Sequence, residues 1–148
     1  MLTESITAFV MIGISLTIHT TGMVFLATPL VRWRAEIEQR VGVLYTTLLL
    51  IVVFAALMLL HLVENCIWAA FYYWWGVLGS YETSLYFSLS TYTTIGYGDV
   101  LLPQRWRLLG ALEGISGVLL CGLSTAFLFS VVNARFQFRI QQMQLNAD

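Results

Sequence analysis

The sequence predicts an all-α membrane protein: three transmembrane helices plus one short re-entrant helix with a following loop. Three observations carry that expectation. Of 148 residues, 59% are hydrophobic and only 10% charged, a composition far too apolar for a water-soluble domain. Three apolar runs are long enough to cross a hydrocarbon core of ~30 Å, which takes about 20 helical residues. A fourth apolar stretch is too short to cross and runs into Gly-Tyr-Gly. A formal net charge of −1 offers no basic surface for nucleic acid, so membrane lipid is the expected surrounding partner. Every basic residue is an arginine. Cys66 and Cys121 lie in or beside apolar segments and read as small buried hydrophobes, not as a disulfide or a metal site.

The first run extends roughly from Ser5 to Val31. No Lys or Arg precedes it and it is longer than the apolar core of a signal peptide, so a retained span is expected. The second runs from Val43 to Leu62 or somewhat beyond, and the third from Leu108 to Val132. Arg32, Arg34 and Arg40 separate the first two runs, and Arg135 and Arg139 follow the third. The positive-inside rule puts these five on the cytoplasmic side. The N-terminus is then outside, the C-terminus cytoplasmic, and the stretch from Glu64 to Trp106 on the outer side of what is expected to be the plasma membrane. Within that stretch "WAAFYYWWG" sets Trp68, Tyr72, Tyr73, Trp74 and Trp75 just beyond the second span, where an interfacial aromatic belt is expected.

The short helix is expected over Tyr81 to Tyr92, with Ser80 as N-cap and Glu82 in the first turn, suited to the positive end of the helix dipole. Entering from outside and stopping midway, it delivers Thr94-Ile95-Gly96-Tyr97-Gly98 to membrane depth. Irregular backbone is tolerated there only when packed in protein or lining a water-filled path. Gly96 and Gly98 permit positive φ, so that successive carbonyls can turn to one side instead of alternating as in a strand. A ladder of oxygens facing one axis suits a cation, and several chains are needed to surround one.

The string Thr94 to Asp99, T-I-G-Y-G-D, resembles the selectivity filter of tetrameric potassium channels, T-[V/I]-G-[Y/F]-G-D, and its place between a short helix and a spanning helix adds to the match. "WRLLGALEGISGVLLCGLSTAF" is similar to the inner, pore-lining helix of simple two-span bacterial potassium channels, with Gly117 at the usual hinge position. The resemblance implies that carbonyls of Thr94, Ile95, Gly96 and Tyr97, with the Thr94 hydroxyl, replace the hydration shell of K+, the permeant ion. It also implies that Ile95 and Tyr97 pack behind the filter. It covers about residues 42–135, the pore domain. Residues 1–41 add an N-terminal span and cytoplasmic loop outside the two-span pattern, and 136–148 a short cytoplasmic tail. One filter strand per chain cannot encircle an ion, so a homotetramer about a cyclic axis is expected. The short helix would aim its negative end, near Tyr92, at a central cavity; Thr125 and Ser124 are cavity candidates, against the alternative of interhelical packing.

Around this centre, Asp99 is expected to accept a hydrogen bond from Tyr86, to act as an outer-mouth charge, or both. Ser90 occupies a position that is acidic in some family members, where it pairs with the filter aspartate, so that acid pair is not expected here. His61 and Glu64 form an H-x-x-E pair on one face near the outer end of the second span, and Glu113 sits about two turns inside the third. Charges at such depth are expensive and usually paired. Arg105 or Arg107 is expected to bridge Glu64 or Glu113, and His61 is a candidate external pH sensor. His19, with Thr17, Thr20 and Thr21 nearby, reads as a helix-packing hydrogen-bond partner. Gly117, with Gly114 and Gly122, reads either as a hinge, with splaying near Phe129 to Asn133, or as a site of close helix approach. No segment carries arginines at every third position and nothing after Arg135 is long enough for a ligand-binding domain. Gating is therefore expected from the pore itself, the first span, lipid, pH or a partner.

The expected activity is passive potassium conduction, with no covalent chemistry, organic cofactor or small-molecule substrate. A weakly selective cation channel and a non-conducting regulatory subunit are the alternatives. A membrane enzyme or metal carrier using His61, Glu64 and His19 is disfavoured, because two histidines on different spans give no dense ligand cluster.

Overall fold

A computed structural model describes residues 2–32 and 43–145. Arg34 and Arg40, which carry part of the topology reading, lie outside these. Each apolar run folds into a helix long and apolar enough to cross a membrane: α1 (Leu2–Arg32), α2 (Val43–Trp74) and, last in the chain, α4 (Arg107–Leu145). Between α2 and α4 lies α3 (Tyr81–Tyr92), at 12 residues too short to span. The protein is an all-α, multi-pass integral membrane protein.

α3 starts where its cap dictates. Ser80 has extended backbone, and its hydroxyl oxygen accepts from the Thr83 amide at 3.1 Å, which satisfies one of the open donors of the first turn. Glu82 lies in that turn, at the positive end of the dipole.

The helices run up and down. The N-terminal half of α1 lies beside the C-terminal half of α2, with Ile6, Val10, Met11 and Ile14 facing Leu62, Val63, Ile67 and Phe71 across an apolar groove. At the opposite end Arg135 Nη2 donates to Thr46 Oγ1 at 3.0 Å. Arg32, Arg135 and Arg139 therefore gather at one end of the bundle and the Gly-Tyr-Gly loop at the other. The core at the loop end is aromatic: Trp68, Phe71, Tyr72, Phe87 and Trp106 pack with Met11, Leu102 and Leu109.

Two sequence expectations change here. α2 runs on to Trp74, so the segment containing Trp68 and Tyr72 is helix within the fold and not a belt beyond it. Trp68 and Tyr72 are fully buried, while Tyr73, Trp74 and Trp75 remain exposed. The buried indole and phenol are retained because each finds an acceptor: Trp68 Nε1 donates to Ser15 Oγ at 3.0 Å and Tyr72 to Glu113. Cys66 is exposed and Cys121 only partly covered, so neither is the small buried hydrophobe expected.

Candidate functional site

The loop after α3 is built by alternation. Thr94, Gly96 and Gly98 have φ of +61°, +53° and +80°, whereas Ile95 and Tyr97 keep the ordinary sign. Every second residue has a positive φ, an alternation that permits consecutive carbonyls to turn toward one side. The glycines take these angles without steric cost; Thr94 takes one that side-chain-bearing residues rarely adopt, and its strain is held by the bonds around it. Thr94 N donates to Thr91 O at 2.9 Å and Gly96 N to Ser90 O at 3.0 Å, which folds the first half of the loop back onto the end of α3. Ile95 and Tyr97 are 56% and 70% exposed on the single chain, so neither side chain is packed away within it.

Beyond the loop, Tyr86 donates to Asp99 Oδ2 at 2.7 Å and the Val100 amide to Oδ1 at 3.1 Å. The tyrosine bond holds the Asp99 carboxyl below the usual carboxylate range, and the same bond pushes the Tyr86 phenol up. Ser90 does not take part: its hydroxyl donates to Phe87 O at 3.0 Å in its own helix.

Two buried polar groups lie behind α3. The first surrounds Glu113, whose Oε2 accepts from Tyr72 at 2.7 Å and whose Oε1 lies 2.6 Å from Ser88 Oγ; Ser88 also reaches Asn65 Oδ1 at 3.1 Å. The second surrounds Glu64. His19 Nδ1 lies 2.8 Å from Oε1, Tyr92 donates to Oε2 at 2.5 Å, and both imidazoles meet one hydroxyl, Ser124 Oγ, at 3.1 Å. His61 Nδ1 lies 2.9 Å from the Tyr92 oxygen.

These contacts correct three expectations. Arg105 and Arg107 bridge neither glutamate: Arg105 lies over the Trp106 ring and Arg107 Nε donates to Leu102 O at 3.4 Å. Hydroxyl and imidazole donors replace them, since a guanidinium is far costlier to take out of water than a phenol. The two histidines do converge, bringing ligand-type atoms of His19, His61 and Glu64 within 4.8 Å of one another. Glu64 lies ten residues before the end of α2, which is about 15 Å inside it and well away from the outer end. Ser124 is buried in this group, where it serves the interhelical packing weighed as its alternative role, and Thr125 is exposed and donates to Cys121 O at 2.8 Å.

Gly117 lets the backbone of α4 come up against the end of α3. A Cβ there would collide with the Tyr92 carbonyl, and one at Gly114 would stand 3.2 Å from Thr91 O; Gly122 meets nothing within 4 Å. α4 continues unbroken through all three. The close approach accounts for glycine at position 117.

Sequence reasoning missed Tyr72, Ser88, Asn65 and Tyr92 as partners of the buried acids. One signal was present: Ser15 and His19 are four apart in an apolar span and so share a helix face. Polar residues on one face of a membrane helix imply polar residues opposite.

No curated protein and no solved structure matches the chain significantly. A family model described as "Ion channel" matches residues 46–134, from α2 through the loop to α4. With a short capped helix, a loop of alternating handedness and two flanking spans all inside that match, the chain belongs to the ion-channel family.

Proposed function

We propose that the protein is a homotetrameric potassium-selective channel conducting K+ passively, with the N-terminus outside and the C-terminus in the cytoplasm of a cell bounded by the plasma membrane. The observation that carries this reading is the alternating backbone at Thr94, Gly96 and Gly98 directly after α3. Carbonyls of Thr94, Ile95, Gly96 and Tyr97 then form successive oxygen rings around a dehydrated ion, with the Thr94 hydroxyl at the inner end. Four chains close the rings, and the exposed Ile95 and Tyr97 side chains become buried against neighbouring subunits. The negative end of α3 favours a cation below the filter, and the Asp99 carboxylate attracts one above it.

Purified protein in liposomes tests this directly. Potassium flux should exceed sodium flux by orders of magnitude, and Gly96→Ala, which puts a Cβ on a φ of +53°, should abolish it. Equal sodium and potassium flux would make the protein a weakly selective cation channel, and no flux at all would make it a regulatory subunit.

A further inference from the structure

The hydrogen bonds around Glu64 close into a ring. His19 Nδ1 meets Glu64 Oε1, Glu64 Oε2 meets Tyr92, Tyr92 meets His61 Nδ1, His61 Nε2 meets Ser124, and Ser124 returns to His19 Nε2. Each of these contacts needs one hydrogen between its two heavy atoms.

The hydrogens do not balance if every group keeps its usual charge. A carboxylate accepts only, so His19 donates from Nδ1 and Tyr92 donates its single proton to Oε2. The Tyr92 oxygen is then an acceptor toward His61, and His61 also donates from Nδ1. Both Nε2 atoms, bare in neutral imidazoles, now face the Ser124 hydroxyl, which has one proton to give. One contact is left as lone pair against lone pair. A single added proton repairs it, either as an imidazolium or, with the directions around the ring reversed, as a protonated Glu64. Net charge leads to the same place. Without that proton the ring is a lone buried anion between membrane helices; with it the ring is neutral.

We propose that His19, His61, Glu64, Tyr92 and Ser124 form a single-proton binding site that clamps the end of the short helix to the three spans. The ring takes His19 from α1, His61 and Glu64 from α2, Tyr92 from α3 and Ser124 from α4. Tyr92 is the last residue of α3, two before Thr94. Losing the proton opens the ring beside the loop; that this alters conduction rests on the potassium-channel reading above. Other titratable groups face the site from α4 alone among the described residues: the Cys121 thiol toward Glu64 and Tyr92, and Glu113 toward Tyr92. Glu113 is already bonded to Tyr72 and Ser88. A metal ion would have to displace existing hydrogen bonds, because every ring nitrogen and both Glu64 oxygens have a partner.

The chain has two histidines and both are in the ring, so histidine labelling reports on the site alone. Full-length protein, labelled with 15N-histidine in bilayers at about pH 7.5, a unit above the ordinary histidine range, should show one proton more than two neutral imidazoles and an ionised Glu64. That proton appears as one imidazolium, or as a carboxylic-acid infrared band removed by Glu64→Gln. Tyr92→Phe and Ser124→Ala open the ring at different places. Each removes two contacts of the ring but only one hydrogen; Ser124→Ala thereby restores the balance and should lose the extra proton, whereas in Tyr92→Phe His61 Nδ1 still faces Glu64 Oε2 at 3.5 Å and should keep it.

Two neutral histidines with an ionised Glu64 in the unmodified protein would overturn the proposal, with no variant needed. So would an extra proton that survives Ser124→Ala. The readout involves no ion flux, so its failure leaves the potassium-channel reading standing, and failure of the flux assay leaves the proton count untouched.

Discussion

Asp99 shows how one hydroxyl tunes a charge at the end of the loop. Its carboxyl is held below the ordinary value of 3.8 by the Tyr86 bond, so that bond's contribution is complete above that value and fades as pH falls through the lowered one. Tyr86→Phe should raise the Asp99 titration midpoint, read by NMR of labelled aspartate, and leave the carboxylate ionised at neutral pH. Glu113 is the contrasting case, fully buried and met by hydroxyls alone. Ser88 has one proton and two acceptors, Glu113 Oε1 and Asn65 Oδ1, so a group at 113 that can itself donate fits the site. Glu113→Gln should keep the thermal stability of the solubilised protein. Glu113→Ala strands the Tyr72 hydroxyl, while Ser88 keeps Asn65 Oδ1, and should cost about 1–3 kcal/mol for the one group left without a partner. Equal losses in the two variants would show that a carboxylate charge is required after all.

Among the elements, α3 and α4 are joined by an absence of side chain. Because a Cβ at 117 meets the Tyr92 carbonyl, which is backbone and cannot swing aside, Gly117→Ala should destabilise the protein by at least the ~1–3 kcal/mol typical of overpacking. Gly122→Ala, with open space around it, should not lower the melting temperature. The same elements show what was legible beforehand. α3 occupies Tyr81–Tyr92 as expected, because its cap, its length and the glycines after it are all written within a few neighbouring residues. α2 overran its expected end, because an aromatic run has the same composition whether it anchors a helix among headgroups or packs inside a bundle. Only the partners, Ser15 for Trp68 and Glu113 for Tyr72, distinguish the two. Left-handed Thr94 was also hidden, since nothing in a threonine announces a positive φ. It was forced by the strict alternation that Gly96 and Gly98 continue.

For the whole molecule, the sequence disclosed the membrane, the number of spans and the loop, each being a property of contiguous residues. It did not disclose which side chains share the interior. His19 meets Glu64 across 45 positions and Ser124 across 105, and no local pattern reports a pairing at such range. The arginine bridge failed for a related reason: nearness in sequence was used where nearness in space decides. The long separations also bear on how the protein is made. α1 is synthesised before α2, and it carries His19 and Ser15 into a bilayer that offers neither its α2 partner until 45 and 53 further residues have been translated. An α1 released into lipid ahead of α2 would hold Ser15 and His19 against hydrocarbon, a cost that favours insertion of the two helices together.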